Sequence, residues 1–289
     1  MENAIRWDAP GLGNGDDART MRRVPGTWRI MGVLNVTPDS FSDGGEWFDH
    51  GAAVGRGREL IAQGAAIVDV GGESTRPGAA PVSEAEELDR VVPVIEALAG
   101  QPAAQISVDT SKASVARAAL AAGATFVNDV TALRGDPEMA ATVAEAGCDV
   151  CLMHMLGEPR TMQQDPRYND VVAEVRAFLE ERMEAATAAG IAEDRIAVDP
   201  GIGFGKTLAH NLELLRRLDE IAAIGRPVVI GTSRKSFLGR ITGRDDPQQR
   251  LMGTVATNVL AFERGGRIFR VHDVAATRDA LAVADATLR

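Results

Sequence analysis

The residue types that could carry out chemistry in this sequence directly follow short apolar runs. Carboxylate, amide, hydroxyl or basic side chains occur at these points, beginning at Asn35, Asp69, Asp109, Asn128, His154, Asp199, Thr232 and Arg270. In parallel α/β barrels the carboxyl ends of the strands share one face, which carries the active site. The net charge is −10, so an anion would have to be bound by a few focused donors. We therefore expect a site for a small anionic substrate at that face.

Each of these positions has a purely structural explanation when it is taken singly. An Asp or Ser after a strand often caps the next helix, and an isolated Arg is usually solvated. Helix capping alone would account for Ser233 and Asp273. Chance, however, would scatter such residues over both ends of the strands, and their shared position favours a functional site.

The segment from Gly201 to Thr207, GIGFGKT, ends like a phosphate-binding P-loop. That motif requires a glycine five positions before the glycine that precedes the lysine, and Pro200 occupies this position. We reject the P-loop interpretation. The glycines are instead expected to let the main chain approach a ligand closely.

Cys148 and Cys151 form a CxxC pair, a pattern found in redox and metal sites. No second CxxC or nearby His pair completes a zinc site, and the segment resembles the beginning of a strand. A helix N-terminus that would activate a thiol is not predicted there. We predict two inert thiols.

The elements that position the polar residues alternate regularly along the chain. Apolar runs predict strands over residues 29–34, 66–70, 105–108, 125–127, 149–153, 195–198, 227–230 and 267–271. Amphipathic segments predict helices that include 52–63, 84–98, 114–122, 170–189 and 211–218. Gly64, Gly123, Gly147 and Gly190 lie where a left-handed residue would end a helix.

Strict alternation requires right-handed crossovers and a parallel sheet, and eight units in about 250 residues is the size of a closed barrel. We predict an α/β fold, a single (β/α)8 TIM barrel over residues 29–289. Residues 1–28 lack apolar periodicity and are expected to form an N-terminal tail or cap. The alternative is a doubly wound open sheet, but no GxGxxG follows the first strand.

Composition excludes several classes of partner. Hydrophobic residues make up 45% and charged residues 25% of the chain, which is ordinary for a globular protein with a full core. The negative net charge disfavours nucleic acid and anionic membranes as partners. No stretch approaches the roughly 20 apolar residues of a membrane span, and the polar N-terminus does not resemble a signal peptide. We expect a cytoplasmic protein.

The chain resembles the dihydropteroate synthase family, enzymes of folate biosynthesis, in segments that occur in the family's order. These are MGVLNVTPDSFSDGG, DVGGESTRPGA, VDT, FVNDVT, DPGIGFGKT, SRKSFLG and RVHDV. Together they cover the chain from about Ile30 to the C-terminus. Short pieces such as VDT are weak evidence for this resemblance, whereas TPDSFSDGG, GGESTRPG and SRKSFLG together are highly specific to the family.

The resemblance implies a transferase that condenses 6-hydroxymethyl-7,8-dihydropterin pyrophosphate with p-aminobenzoate, using Mg2+. The products would be 7,8-dihydropteroate and pyrophosphate. The pterin-binding residues implied by the family motifs are Asp109, Asn128, Asp199 and Lys235. The amino and N3 groups of a pterin form a donor edge like a flat guanidine, which suits the buried carboxylate expected of Asp199.

The resemblance also assigns the remaining parts of the site. Asn35, Arg270 and His272 match the pyrophosphate site, with Asn35 also a metal ligand, and we expect this site and the pterin site to occupy different parts of the rim. The implied catalytic residues are Asp39, which would stabilise a pterin cation, and Lys235, Arg270 and His272. The residues implied for aminobenzoate are Phe41, Thr75, Arg76, Pro77, Phe204 and Ser236.

Small-molecule substrates are the expected partners, and the resemblance further implies a sulfonamide target and a homodimer formed through helices such as residues 248–263. Two alternatives stay open. A pterin-binding methyltransferase on the same barrel would share the pterin carboxylates, but it would not be expected to keep the full SRKS and RVH anion site. A catalytically silent paralogue would act as a binding subunit.

Overall fold

A computed structural model of the chain describes residues 28–37, 49–74, 78–101, 103–158 and 161–288. Its parallel strands follow one another in chain order and close into a barrel, with β8 paired to β1. They are β1 (Arg29–Asn35), β2 (Ile67–Gly71), β3 (Gln105–Asp109), β4 (Phe126–Asp129), β5 (Asp149–Met153), β6 (Ile196–Asp199), β7 (Val228–Ile230) and β8 (Gly266–Val271). The predicted barrel is confirmed, and the pairing of β1 with β8 excludes the open sheet.

α-Helices follow the strands around the barrel. They are α1 (His50–Ala62), α2 (Glu84–Leu98), α3 (Ala113–Ala121), α4 (Met139–Ala146), α5 (Val171–Ala188), α6 (Leu208–Arg216), α7 (Leu218–Ala222), α8 (Ser236–Thr242), α9 (Leu251–Glu263) and α10 (Val274–Leu288). The helix predicted over 211–218 begins earlier, at Leu208, because the Thr207 hydroxyl caps it by accepting from His210 N at 3.2 Å. It is also interrupted at Arg217, where α7 begins a new turn.

The glycines predicted to end helices have the required backbone conformation. Gly64, Gly123, Gly147 and Gly190 have φ angles of 102°, 108°, 58° and 98°. These values lie in the region that glycine occupies without the steric cost of a Cβ atom. Each glycine therefore ends a helix and turns the chain toward the next strand.

The barrel interior has an apolar layer at mid-height. It consists of Met31, Ile67, Phe126, Cys151, Ala197, Val229 and Ile268. Side chains two positions apart on a strand point to the same face, so the next inward positions toward the carboxyl end include Asp69, Asn128, Asp199 and Arg270. The apolar layer is the floor on which this polar layer rests.

Polar side chains fill the amino end of the barrel and bond to one another. Gln105 accepts from Arg29 Nη2 at 3.0 Å and donates to Asp149 Oδ2 at 2.8 Å. The other oxygen of Asp149 accepts from Arg195 Nη1 at 3.3 Å. This network closes the amino end and leaves the carboxyl end as the face for ligands.

The two cysteines are free thiols and are buried. Burial raises the pKa of Cys148 to about 12 and raises that of Cys151 well above its usual value. Both thiols therefore stay protonated near neutral pH, as an inert role requires.

Most of the predicted N-terminal tail or cap lies outside the described residues. Trp28, the first described residue, packs against the hydrophobic core. Within the part of the chain that the structure describes, no helix is long and apolar enough to cross a membrane.

Candidate active site

Arg270, on β8, joins carboxylates from two other strands at the mouth of the barrel. Its Nε donates to Asp69 Oδ2 and its Nη2 donates to Asp109 Oδ2, each at 2.6 Å. Asn128 Nδ2 donates to the same oxygen of Asp69 at 3.0 Å. Asp109, Asn128 and Arg270, which were predicted to be site residues, are thus brought together around Asp69.

This contact changes one expectation from the sequence. Arg270 was assigned to the pyrophosphate site and Asp109 to the pterin site, on different parts of the rim. Because the two side chains bond directly, the two parts of the site adjoin. A substitution at Arg270 is therefore expected to alter the hydrogen bonding of Asp109.

The charges in this cluster are mutually dependent. Burial raises the pKa of Asp109 to about 7, with Arg270 opposing the rise and Asp69 adding to it. Burial disfavours the charged form of Arg270, but the carboxylates of Asp69 and Asp109 outweigh it and raise the pKa of the guanidinium. Arg270 is permanently charged, whereas Asp109 can change its protonation state near neutral pH.

Asp199 ends β6 and lies in the same buried layer. Its Oδ1 accepts from Gly201 N at 2.7 Å, which orients the carboxylate. Burial raises its pKa, and the nearby charge of Lys235 acts in the opposite direction. Asp199 is therefore a pre-oriented acceptor, as a pterin donor edge would require.

Lys235 lies immediately before α8 and points back over the loop that follows β6. Its Nζ donates to the carbonyl oxygen of Ile202 and lies 4.5 Å from the centre of the Phe204 ring. Burial lowers the pKa of Lys235 to about 8, although Asp199 favours the charged form. The ammonium group lies between the carboxylate predicted to bind pterin and the ring predicted to contact aminobenzoate.

The loop after β6 is shaped by glycines that have left-handed backbone conformations. Gly201, Gly203 and Gly205 have φ angles of 66°, 86° and 63°. A Cβ atom on Gly201 would lie 1.8 Å from the carbonyl oxygen of His154. The loop thus lies closely against the chain after β5, and the predicted close approach of its backbone to a ligand stays a prediction.

Lys206 is a buried residue of this loop to which the sequence assigned no role. Its Nζ lies 2.9 Å from His154 Nδ1 and donates to the Phe204 carbonyl oxygen at 2.9 Å. Burial lowers the pKa of Lys206 well below its usual value and lowers that of His154 to about 3. The pair connects the ends of β5 and β6 and holds the backbone of Phe204.

The predicted anion-binding residues lie on the neighbouring strands β1 and β8 or just beyond them. Asn35 is the last residue of β1 and is half-buried. His272 follows β8, and its Nδ1 lies 3.0 Å from Ser233 Oγ. Ser233 also accepts from His272 N at 3.1 Å, so it orients this histidine and is not merely a helix cap.

Two of the residues predicted for aminobenzoate lie beside Lys235. Phe204 is half-buried and packs against a small apolar cluster of Val130, Met153, Met155 and Met162. Ser236 is exposed at the first position of α8. The remaining predicted residues, Asp39, Phe41, Thr75, Arg76 and Pro77, lie outside the described residues.

The sequence placed Asp69 and Asp273 on this face without a specific role and did not single out Arg234. Arg234 has a left-handed φ of 58° and forms a two-point ion pair with Asp273 at 3.0 and 2.6 Å, which links the ends of β7 and β8. Asp69 follows buried Ile67 by two positions, as Asp199 follows Ala197. That shared spacing within a strand is the signal that could have identified Asp69.

A cavity of about 230 Å3 opens beside Asp109, between the ends of β2 and β5. Glu73 and Glu87 line it, and Lys112 forms ion pairs with both. Thr110 and Val130 also line this space. The mouth of the barrel thus has room for a small ligand next to the buried polar layer.

No group of three or more His, Cys, Asp or Glu side chains among the described residues is arranged to hold a metal ion. A metal at this face would therefore use fewer than three of the described His, Cys, Asp or Glu side chains. Asn35 offers one amide oxygen at the end of β1.

Comparisons with known proteins place the chain among enzymes that handle pterins. A family model described as pterin binding enzyme matches residues 31–272. The dihydropteroate synthase of Escherichia coli strain K12 is 49% identical over 259 residues, which cover 90% of this chain and 91% of the relative.

Two solved structures are similar over nearly the whole barrel. The dihydropteroate synthase of Xanthomonas albilineans with 4-aminobenzoic acid is 52% identical, with a TM-score of 0.85 over 91% of this chain and 93% of that one. The Yersinia pestis enzyme in complex with a sulfonamide drug is 47% identical, with a TM-score of 0.86 over 91% of this chain and 94% of that one.

Proposed function

The chain belongs to the family of pterin-binding enzymes, and we propose that it is a dihydropteroate synthase of folate biosynthesis. It condenses 6-hydroxymethyl-7,8-dihydropterin pyrophosphate with p-aminobenzoate to give 7,8-dihydropteroate and pyrophosphate. The observation that carries this proposal is that buried Asp109, Asn128 and Asp199 meet half-buried Arg270 above an apolar floor, each from a separate strand. Such a polar layer suits a flat, polar ring with donors and acceptors along its edge.

Pterin binding is assigned to this layer. The oriented carboxylate of Asp199 accepts from the amino and N3 groups of the ring. Asp109, Asn128 and Lys235 meet the remaining polar atoms. Since these groups are buried, a ligand that failed to match them would leave polar atoms unpaired, at a cost of about 1–3 kcal/mol each.

The pyrophosphate group is assigned to Asn35, Arg270 and His272. The guanidinium of Arg270 and the imidazole of His272 supply donors for the negative charge that develops as pyrophosphate leaves. Mg2+ usually takes only one or two protein oxygens together with substrate phosphates and water. The amide oxygen of Asn35 fits that requirement, and Mg2+ bound there would neutralise charge on the leaving group.

The reaction requires no protein nucleophile in this proposal. The bond between the pterin methylene carbon and the pyrophosphate oxygen breaks first, and both electrons leave with pyrophosphate. The nitrogen of p-aminobenzoate then bonds to the resulting cation and loses one proton. Asp39 is assigned to stabilise the cation, and Phe204 and Ser236, with Phe41, Thr75, Arg76 and Pro77, bind the aromatic amine.

The proposal includes a homodimer in the cytoplasm. Large apolar side chains are exposed on the last two helices, where Met252 and Leu260 lie on α9 and Val283 lies on α10. We call this surface the C-terminal helix face. Exposed apolar surface of this kind is typical of protein interfaces, which supports the dimer.

A coupled assay for pyrophosphate tests the function. Purified protein is expected to release pyrophosphate and form 7,8-dihydropteroate only when both substrates and Mg2+ are present. Chelation of Mg2+ should stop release, and adding Mg2+ back should restore it. Transfer of a methyl group from a reduced folate without pyrophosphate release would instead identify a methyltransferase.

A further inference from the structure

Asp69 has no role in the function described above, yet both of its carboxylate oxygens are bonded to side chains of other strands. Its Oδ1 accepts from Ser107 Oγ at 2.6 Å, and its Oδ2 accepts from both Asn128 Nδ2 at 3.0 Å and Arg270 Nε at 2.6 Å. The residue is 1% exposed. It is therefore placed to act on a ligand only through its neighbours.

We propose that Asp69 is the positioning residue of the site, holding Asn128 and Arg270 so that one carboxylate sets both the pterin and the pyrophosphate contacts. The proposal rests on the proposed function for the identity of the two ligands. The contacts themselves are formed between protein side chains.

The bond to Asn128 decides which end of its amide faces the pocket. Since Nδ2 donates to Asp69, the carbonyl oxygen Oδ1 is the end that is turned to other partners. An Asn in this orientation presents an acceptor. Asp69 therefore fixes the amide of Asn128, which presents its carbonyl oxygen as an acceptor beside the one N–H that Asp69 does not take.

The bond to Arg270 decides where its remaining donors point. Nε is held by Asp69 and Nη2 by Asp109, which fixes the plane of the guanidinium. Its side chain keeps 24% exposure while that of Asp69 has none. The third nitrogen, Nη1, takes part in neither of these bonds and is then available for an anion. The Ser107 hydroxyl stops the carboxylate of Asp69 from rotating away.

The substitution Asp69→Asn tests this role because it keeps the shape and removes the charge. We expect the Kd of the pterin pyrophosphate substrate to rise at least tenfold and the Kd of inorganic pyrophosphate with Mg2+ to rise several-fold, both measured by calorimetry. The matched control is Asp149→Asn, which removes another buried carboxylate paired with an arginine, at the amino end of the same barrel. That variant should lose stability but keep both Kd values within twofold.

A double-mutant cycle separates positioning from general damage. If Asp69 acts through Asn128, Asp69→Asn should weaken pterin binding much less in an Asn128→Ala background than in the wild type. Fully additive effects, or an Asp69→Asn variant with unchanged affinities, would overturn the proposal. Wild-type protein that forms no dihydropteroate would instead count against the proposed function.

If Asp69→Asn does not fold, the proposal can still be tested in the wild type by measuring how fast side-chain protons exchange with solvent. The Nε proton of Arg270 should exchange with solvent far more slowly than that of Arg167, an exposed arginine. Slow exchange of the Asn128 side-chain amide should accompany it. Rapid exchange at both positions would contradict the positioning role.

Discussion

At the scale of single residues, the site is defined by ionisable groups that burial has moved toward neutral pH. The pKa of Asp109 is raised to about 7 and that of Lys235 is lowered to about 8. Burial is the largest cause in both cases, since it penalises whichever form is charged. An acceptor with a pKa near 7 beside a donor with a pKa near 8 is typical of an active site.

These two pKa values predict a bell-shaped pH profile for kcat/KM of the pterin substrate, which reports the free enzyme. Below about pH 7 Asp109 gains a proton and is lost as a charged acceptor, and above about pH 8 Lys235 loses its charge. Activity should fall on both sides. In Asp109→Asn the acid limb should disappear, and in Lys235→Arg the alkaline limb should move beyond pH 10. Unchanged limbs in both variants would contradict the assignment.

The variant Asp199→Ala should bind pterin more weakly and still fold. The donor edge of the ring would face an apolar gap where the carboxylate had been, at a cost of about 1.5–3 kcal/mol, or roughly 10- to 100-fold in affinity. Calorimetry with the pterin substrate measures this, and circular dichroism checks the fold. Asp199→Asn keeps one acceptor oxygen, so its affinity for pterin should lie between those of the wild type and Asp199→Ala. Full affinity in folded Asp199→Ala would remove Asp199 from the site.

The variant Arg270→Ala should weaken binding of both ligand groups. Pyrophosphate loses its guanidinium, and Asp69 and Asp109 lose the cation between them. Since Arg270 holds down the pKa of Asp109, that pKa should rise further, and less Asp109 would be ionised at pH 7. Arg270→Lys keeps the charge but loses the planar guanidinium that contacts two carboxylates. Its affinities for both ligand groups should lie between those of the wild type and Arg270→Ala. Loss of pyrophosphate binding with intact pterin affinity would show that the two subsites are independent.

At the scale of elements, the loop between β6 and α6 holds Phe204 under Lys235. Gly203 N donates to Asn211 Oδ1 at 2.7 Å, and Tyr168 Oη donates to the Gly205 carbonyl oxygen at 2.9 Å. Lys206 and His154 lie beneath, so the loop is bonded to α6 and to the chain between β5 and α5. These bonds fix its conformation.

Gly201→Ala should distort this loop and the carboxylate next to it. The new Cβ would lie 1.8 Å from the His154 carbonyl oxygen at a φ of 66°, and Gly201 N is the donor that orients Asp199. The matched control is Gly225→Ala, which has a φ of 89° and no atom within 4 Å of the new Cβ.

Left-handed strain alone costs roughly 1–2 kcal/mol, so Gly225→Ala should lose about that much in urea unfolding and keep its pterin affinity. Gly201→Ala should lose more stability and also bind pterin at least tenfold more weakly. Equal effects of the two substitutions would show that the clash with His154 is unimportant.

At the scale of the whole molecule, the barrel separates stability from chemistry. The network of Arg29, Gln105, Asp149 and Arg195 closes the amino end. The apolar layer at mid-height separates it from the polar layer at the carboxyl end. Changes at one end are therefore expected to act on the free energy of unfolding, and changes at the other end on ligand affinity.

Assembly through the C-terminal helix face is predicted to depend on Met252, which is 74% exposed on α9. The wild type should sediment as a dimer, and Met252→Glu should shift it toward monomer because a carboxylate is disfavoured in an apolar interface. Ala141→Glu adds the same charge to an exposed position on α4 and should leave the dimer intact. A monomeric wild type would contradict the proposed assembly.

The sequence by itself determined the elements and the end of the barrel on which the site lies. Strand and helix periodicities are local, so the strand bounds agree with the observed ones to within one residue at nearly every end. The family motifs also identified Asp109, Asn128, Asp199 and Arg270. The break at Arg217 and the early start of α6 departed further from the periodicity, because the pattern does not record the Thr207 cap or the turn between α6 and α7.

The tertiary structure alone decided which polar residues meet. Asp69 and Arg270 are 201 positions apart in sequence, and Lys206 and His154 are 52 apart. Each becomes a partner only because barrel closure and register bring their strand ends together. The pKa of Asp109 near 7 has the same origin, since desolvation and the charges of Arg270 and Asp69 act through space. Local pattern places a residue on the rim, and contacts across the barrel decide what that residue can do.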